Sequence, residues 1–304
     1  VISVAENYQY GGQAVIEGVM MRGRHHYAIA VRKGNNTTSV MSEPLGSYTQ
    51  KNRILRLPFI RGIVALGESL VLGVKSLQYS ANQLMDTEGE EELSFWEMTL
   101  MLVLAIGITI LLFVALPLFL RGLVAKILPG TLWRNLFEGL MRAVILVAYV
   151  GLVSFLSDIQ RVFAYHGAEH KVIHTYEAGE ELTVENARTK TTLHPRCGTS
   201  FLLYVVMVSA VLFSFLGEQT FLMRFASRIF LLPVVAGVSY ELIKASGKRQ
   251  SFLFWRILSW PGLMLQRLTT REPDDGQLEV AIVALKEVLN LENNKVLPIN
   301  KQEV

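Results

Sequence analysis

Apolar residues along the chain collect into long runs separated by polar stretches. From Met98 to Leu120 no residue is charged, 23 positions in all. At about 1.5 Å of rise per residue, such a helix covers the roughly 30 Å hydrocarbon core of a bilayer. Pro117 falls near its end, where a helix tolerates it. A second run, between Arg142 and Asp158, has only 15 uncharged positions. Snorkelling of Arg142 to the interface would lengthen it. A third, between Arg196 and Glu218, has 21 and includes Phe201–Phe215. The fourth is interrupted, because only 12 positions between Arg228 and Glu241 are uncharged. A helix from Thr220 to Lys244 puts Arg224 and Arg228 one turn apart inside it, where ionisable groups face protein or water. The pattern predicts about four transmembrane helices.

Other stretches carry other periods. Between Leu55 and Tyr79, Arg61, Glu68 and Lys75 recur every seven residues on one face of an otherwise apolar helix. This predicts an amphipathic helix lying in the interface or packed on the bundle, with a span as the alternative. Residues 27–43 predict a β-hairpin, Tyr27–Val31 and Thr37–Met41 around Gly34-Asn35-Asn36. Gly11–Arg22 predicts a further strand. Ser251–Leu268 alternates aromatic and basic residues as an interfacial helix does. Asp274 or Asp275 caps a last helix, Gln277–Leu291, with Val280, Val283, Ala284 and Val288 on its apolar face.

The fold class is therefore mainly α, a polytopic helical membrane protein with a small N-terminal β unit and amphipathic interfacial helices. Its expected parts are a cytoplasmic β-rich segment (1–50), an amphipathic helix with an acidic linker (51–93) and transmembrane helices 1 and 2 (94–160). A cytoplasmic His/Cys site loop (161–199), transmembrane helices 3 and 4 (200–245) and interfacial and C-terminal helices (246–304) follow.

Composition narrows the function. Charged residues are 18% of the 304, and net charge is +3. No basic cluster with interleaved aromatics appears, so nucleic acid is not an expected partner. The bilayer is. Cys197 is the only cysteine, which excludes a disulfide scaffold. No basic stretch leads into an apolar core at the N-terminus, so no signal peptide is expected. Of 29 Lys and Arg residues, 23 fall in segments 1–94, 161–199 and 244–304. The positive-inside rule then places both termini and the 161–199 segment in the cytoplasm of a cell-membrane protein.

Four of the six histidines, His166, His170, His174 and His194, lie within 29 positions, and Cys197 joins them. On a helix His166, His170 and His174 form one stripe, with Glu177 on the same face. The stripe extends about 16 Å, and a metal with bonds of about 2 Å bridges only neighbours one turn apart. Two readings follow. In one, His166 and His170 bind a divalent metal, zinc by preference, and Glu169 deprotonates water. In the other, His170 or His174 joins His194 and Cys197 in a closed structural site. Plainer readings stand beside both. Cys197 is also a small buried hydrophobe, and Glu177, Glu180, Glu181 and Glu185 a solvated acidic face. Glu241 reads as an interfacial carboxylate near Lys244, His25 and His26 as surface residues. Gly11–Gly18, with Glu17, reads as a turn and strand that fits no phosphate or dinucleotide loop.

His166-x-x-Glu169-His170 resembles the His-x-x-Glu-His signature of the inverted zincins. That resemblance implies a further carboxylate ligand downstream, for which Glu241 is the candidate. Three longer motifs, Tyr10–Arg22, Tyr165–Lys171 and His194–Ser200, resemble the YqhQ-like family of bacterial membrane proteins along nearly the whole chain. The family is uncharacterised, multi-pass and thought to be metal-dependent, so it implies a membrane location and a metal site without a substrate. The expected function is a metal-dependent hydrolase at the cytoplasmic face, acting on a peptide or lipid-linked substrate. His166 and His170 would bind metal, with His174, His194, Cys197 or Glu241 completing the shell. Arg22 or Lys171 would hold an anionic group. The alternatives are a non-enzymatic assembly protein with a structural zinc that engages another membrane protein, and a transporter.

Overall fold

A computed structural model describes residues 10–34, 37–46, 53–88, 94–248 and 252–294. Strands β1 (Gly11–Val15), β2 (Gly18–Arg22), β3 (His26–Arg32) and β4 (Thr38–Pro44) form an antiparallel meander in sequence order. Gly11–Arg22 thus supplies two strands, not one. Glu17, with φ +50°, makes the turn between them. The hairpin expected at 27–43 is β3 paired with β4, Ile29 facing Met41; Asn35 and Asn36 of its turn lie outside the described residues.

Side chains alternate across this sheet, as a two-fold period requires. Val19, Met21, Ala28 and Ala30 face one core, while Met20, Tyr27, Ile29 and Val31 face another. The first face is covered by α5 (Ser157–Glu177) and α10 (Asp275–Asn294), through Ala168, Val172, Leu278 and Leu285. The second is covered by α1 (Ile60–Glu88), through Leu72 and Tyr79. Asp274 caps α10: its Oδ1 accepts from Gln277 N at 2.8 Å and its N–H donates back to Gln277 Oε1 at 3.0 Å. Val283, expected on the buried face of this helix, is 37% exposed, and Ala281 and Leu285 take its place.

The heptad charges of α1 explain its position. Arg61 grips Glu241 (Nε to Oε1 2.6 Å), Glu68 accepts from Arg22 at 3.2 Å, and Lys75 pairs with Glu43 at 2.5 Å. One stripe therefore ties the helix to the apolar bundle at one end and to the sheet at the other. Leu70 and Val71 stay exposed on α1.

The bundle starts with α2 (Phe95–Ile110), capped by Ser94 and Glu97, and continues through a π-turn at Leu111–Ala115 into α3 (Leu116–Leu123). Then come α4 (Gly130–Val153), α7 (Gly198–Ser214) and α8 (Phe221–Lys248); α6 (Val184–Arg188) is a short turn after α5. Three helical stretches, Trp96–Lys126, Gly130–Val153 and Phe221–Gly247, are long and apolar enough to cross a membrane. Leu100, Leu104, Ile108 and Leu111 are exposed, the surface expected against hydrocarbon. The interrupted fourth run is the helix at Phe221–Gly247, whereas the third expected span, between Arg196 and Glu218, is a shorter apolar helix, α7, of 17 residues. It still traverses the bundle, because Cys197 at its start meets α5 while Phe213 near its end accepts from Asn135 at the start of α4 (2.9 Å).

The second span differs from expectation. It begins at Gly130, well before Arg142, and ends before Asp158, which opens α5. Arg142 does not snorkel; it is buried and pairs with Glu138 one turn away at 3.0 Å. Arg228 is buried on the same carboxylate, as an arginine inside an apolar helix must be. The stretch expected as an interfacial helix is α9 (Leu253–Thr269), with Phe254, Ile257 and Trp260 exposed and Leu265 packed on Leu146 and Val206. The linker residues 89–93 and the tail from 295 lie outside the described residues.

Candidate metal centre

The histidine stripe lies on α5 where the bundle meets the sheet. Small residues let it approach its neighbours. A Cβ on Gly167 would lie 2.1 Å from the Arg271 carbonyl oxygen, whose own amide donates to Phe163 O at 2.9 Å. A Cβ on Gly12 would lie 2.3 Å from Met20 O and 3.3 Å from the Glu169 carboxyl carbon. The Tyr10-Gly11-Gly12 segment therefore roofs the stripe at backbone distance, a role that its glycines only hint at in sequence.

The stripe divides between two groups of donors. His166, His170 and Cys197 bring one ligand atom each within 4.8 Å of one another, and so do His174, Glu177 and His194. In the first group, His166 Nδ1 donates to Thr269 O (2.8 Å) and His170 Nδ1 to Thr192 O (2.5 Å). A carbonyl oxygen can only accept, so each Nδ1 carries the proton and each Nε2 keeps its lone pair. Imidazoles that bind metal are held in this way. His166 Nε2 is 3.1 Å from Cys197 Sγ, the direction in which a thiol proton would be donated; the sulfur accepts from Thr199 N at 3.4 Å as the N-cap of α7. A tetrahedral zinc with Zn–N near 2.0 Å and Zn–S near 2.3 Å separates such atoms by about 3.5 Å, so a small movement suffices. The donor set, two imidazole nitrogens and one sulfur, fits zinc.

The second group is wired differently. His174 Nε2 donates to Leu193 O at 2.9 Å. His194 Nδ1 accepts from Arg196 N at 3.3 Å, and its Nε2 lies 3.5 Å from Glu177 Oε2. Glu177 also carries an ion pair with Arg196. Burial pushes the Glu177 carboxyl up, but hydrogen bonds from His194 and Arg196 outweigh it and hold the group at about 2. Burial, with Arg196 nearby, lowers His194 to about 4, so it is neutral near pH 7. Glu177 therefore has its counter-charge in Arg196. His194 and Cys197, expected to chelate together, fall into different groups.

A cavity of about 330 Å³ opens beside the first group, lined by Gly12, His166, Glu169, His170, Cys197 and Thr199 among others. Glu169 is buried in its wall. Desolvation raises its carboxyl to about 7, against the opposing pull of His166 and the Gly12 amide.

Three expected residues are elsewhere. Glu241 is held by Arg61, and Arg22 by Glu68 and Ser69. Lys171 turns from the cavity to pair with Glu272 and donate to Arg188 O at 2.9 Å. His26 is buried at the head of β3, its Nδ1 3.6 Å from Glu292, contrary to the surface position expected. Gln266 was not singled out by sequence. Fully buried on α9, it accepts from His194 N at 2.8 Å and donates to His194 O at 2.8 Å and Ser200 Oγ at 2.9 Å. A lone glutamine among the apolar and basic residues of that helix was the available signal.

A family model described as "Protein of unknown function (DUF1385)" matches residues 57–291. The chain is 37% identical over 295 residues to "Uncharacterized protein YqhQ" of Bacillus subtilis (strain 168), covering 93% of each. The likeness to YqhQ-like proteins drawn from the three motifs is thus borne out. No solved structure matches.

Proposed function

The chain belongs to the DUF1385 family of proteins of unknown function, and we propose that it is a membrane-embedded, metal-dependent hydrolase with its site on the cytoplasmic side. The observation that carries the reading is the pair of Nδ1-anchored imidazoles, His166 and His170, beside Cys197 at the edge of an open cavity that also holds Glu169. Three protein ligands with space beside them are the layout of catalytic zinc, whereas structural zinc is closed by four. Zinc bound there would supply Lewis acidity. Glu169, buried in the cavity wall one position before His170, is the residue suited to take a proton from water and return it to a leaving group. The cavity adjoins the start of α7 in the apolar bundle, through Cys197 and Thr199, which supports a peptide or lipid-linked substrate. The excess of Lys and Arg in the flanking segments supports the cytoplasmic orientation.

The test is incubation of zinc-loaded protein, in detergent, with a bacterial membrane extract, followed by mass spectrometry of peptides and lipids. Hydrolysis products should form with wild type and be absent with Glu169→Gln carrying the same zinc. Products that form equally with Glu169→Gln, or none with either protein, overturn the hydrolase reading.

A further inference from the structure

The half of the bundle away from the histidines holds an unusual concentration of buried charge. Arg121, Arg142 and Arg228 are 2%, 6% and 1% exposed, and Glu138, between them, is 1% exposed. Glu138 Oε1 accepts from Arg142 Nη2 and Arg228 Nε, both at 3.0 Å, and Oε2 accepts from Arg228 Nη2 at 3.0 Å. Its lone pairs are largely used, and Arg121 Nε stands off at 3.8 Å. Arg142 finds its remaining partners in Ser209 Oγ (3.0 Å) and Phe113 O (2.8 Å). Phe113 is four residues before Pro117, which has no N–H to occupy that carbonyl.

Arg121 is left over. Its Nε donates to Asn135 Oδ1 at 3.2 Å, but its buried Nη2 has no hydrogen-bond partner among the described residues. The core of the cluster is three guanidiniums against one carboxylate. Glu218 at the rim also faces Arg121, but it is shared with Arg134 and Arg224 at 3.5 and 3.6 Å, so positive charge stays in excess and calls for an anion. A guanidinium fork recognises phosphate or carboxylate oxygens.

Two observations favour a lipid as the source of that anion. Exposed Trp133 precedes Asn135 by two residues, and tryptophans at such positions mark the headgroup level of a membrane. Arg121, bonded to Asn135, is then at headgroup depth. Beside the cluster an almost wholly apolar cavity of about 380 Å³ has Arg142 and Arg228 in its wall, with Phe113, Leu146, Phe213 and Leu232. An amphiphile with an anionic head and an acyl chain matches both parts. We propose that this centre binds an anionic phospholipid, its phosphate engaging Arg121 and the arginine cluster and one acyl chain filling the cavity. The site is separate from the metal centre and does not depend on the function assigned there.

The test uses full-length protein in detergent with fluorescent phosphatidylglycerol, phosphatidylcholine as the zwitterionic control, and inorganic phosphate as competitor. Phosphatidylglycerol should bind with one-to-one stoichiometry and at least about tenfold more tightly than phosphatidylcholine. Arg121→Gln should weaken it about tenfold, the loss expected for a charge-assisted hydrogen bond. Leu232→Trp, which fills the cavity from a partly exposed position and leaves every arginine in place, should weaken it similarly. This second variant keeps the test decisive if Arg121→Gln does not fold. Equal binding of the two lipids overturns the proposal, as does unchanged affinity in the folded variants. Displacement of the lipid by inorganic phosphate assigns the site to a free anion and overturns the lipid source.

Discussion

Cys197 Sγ lies 3.1 Å from His166 Nε2, joining two points 31 positions apart in the chain. The contact links the N-cap of α7 to the middle of α5 and defines which atoms can share a metal. The two donor groups on the stripe make different predictions. His170→Ala and Cys197→Ser should lower zinc affinity by about 100-fold or more, since removal even of an outer-shell partner costs 10–100-fold. His174→Ala should leave zinc content near the wild-type value, because His174 belongs to the group closed by Arg196. Metal analysis of protein purified without chelator distinguishes the groups; loss of metal in His174→Ala alone would reverse their assignment.

Gly167 supports a second prediction. Gly167→Ala places a methyl group 2.1 Å from the carbonyl oxygen of Arg271, a residue whose amide is pinned to Phe163 O. The connection between α9 and α10 must then move off α5, carrying Thr269 O from His166 Nδ1. Destabilisation of about 3 kcal/mol is expected, in the range of core overpacking. Gly11→Ala is the control, since no atom of the described residues lies within 4 Å of its Cβ. Thermal unfolding of the two variants in the same detergent should separate them clearly; a Gly167→Ala melting curve matching that of Gly11→Ala would contradict the packing described here.

Sequence carried the long apolar helix and the histidines because their causes are local. Hydrocarbon selects an uncharged stretch wherever it occurs, and a spacing of four puts His166 and His170 on one face. It misjudged Arg142 because the end of a charge-free run marks the end of a span only when the next charge has no partner. Here Glu138 lies one turn before it and Arg228 is 90 positions away from that carboxylate, a pairing no local pattern reveals. The division of the stripe was hidden for the same reason. Thr192, Leu193 and Thr269 act through backbone carbonyls, which carry no residue signature, and His194 is aimed by Gln266 from 72 positions downstream.

Glu169 predicts a pH dependence of the metal-free protein. Its folded value, about 7, is above its ordinary 4.5, so the folded state binds the proton more tightly than the unfolded chain. Stability from this group is fully present below pH 4.5 and is lost as pH rises through about 7. The loss is on the order of 3 kcal/mol, since one unit is about 1.4. Melting temperature measured with chelator present should fall across this window, and Glu169→Gln should flatten the fall. An identical pH profile in the variant would remove Glu169 as its source.

Glu138 is the single carboxylate on which Arg142 and Arg228 close, and that makes it the most sensitive position in the bundle. Glu138→Gln keeps the shape of the side chain but removes its charge, leaving three buried guanidiniums without a carboxylate between them. Breaking a buried ion pair from one side costs about 3–5 kcal/mol, because the remaining charge stays desolvated. Changing both partners together is gentler: Glu138→Gln with Arg228→Gln should recover a large part of that loss, since two amides can hydrogen-bond where an amide and a lone cation cannot be balanced. Thermal unfolding of the single and double variants in detergent tests this. A double variant less stable than Glu138→Gln would show that Arg228 is held by contacts other than the carboxylate, such as the face of Phe213, 4.5 Å from its guanidinium carbon.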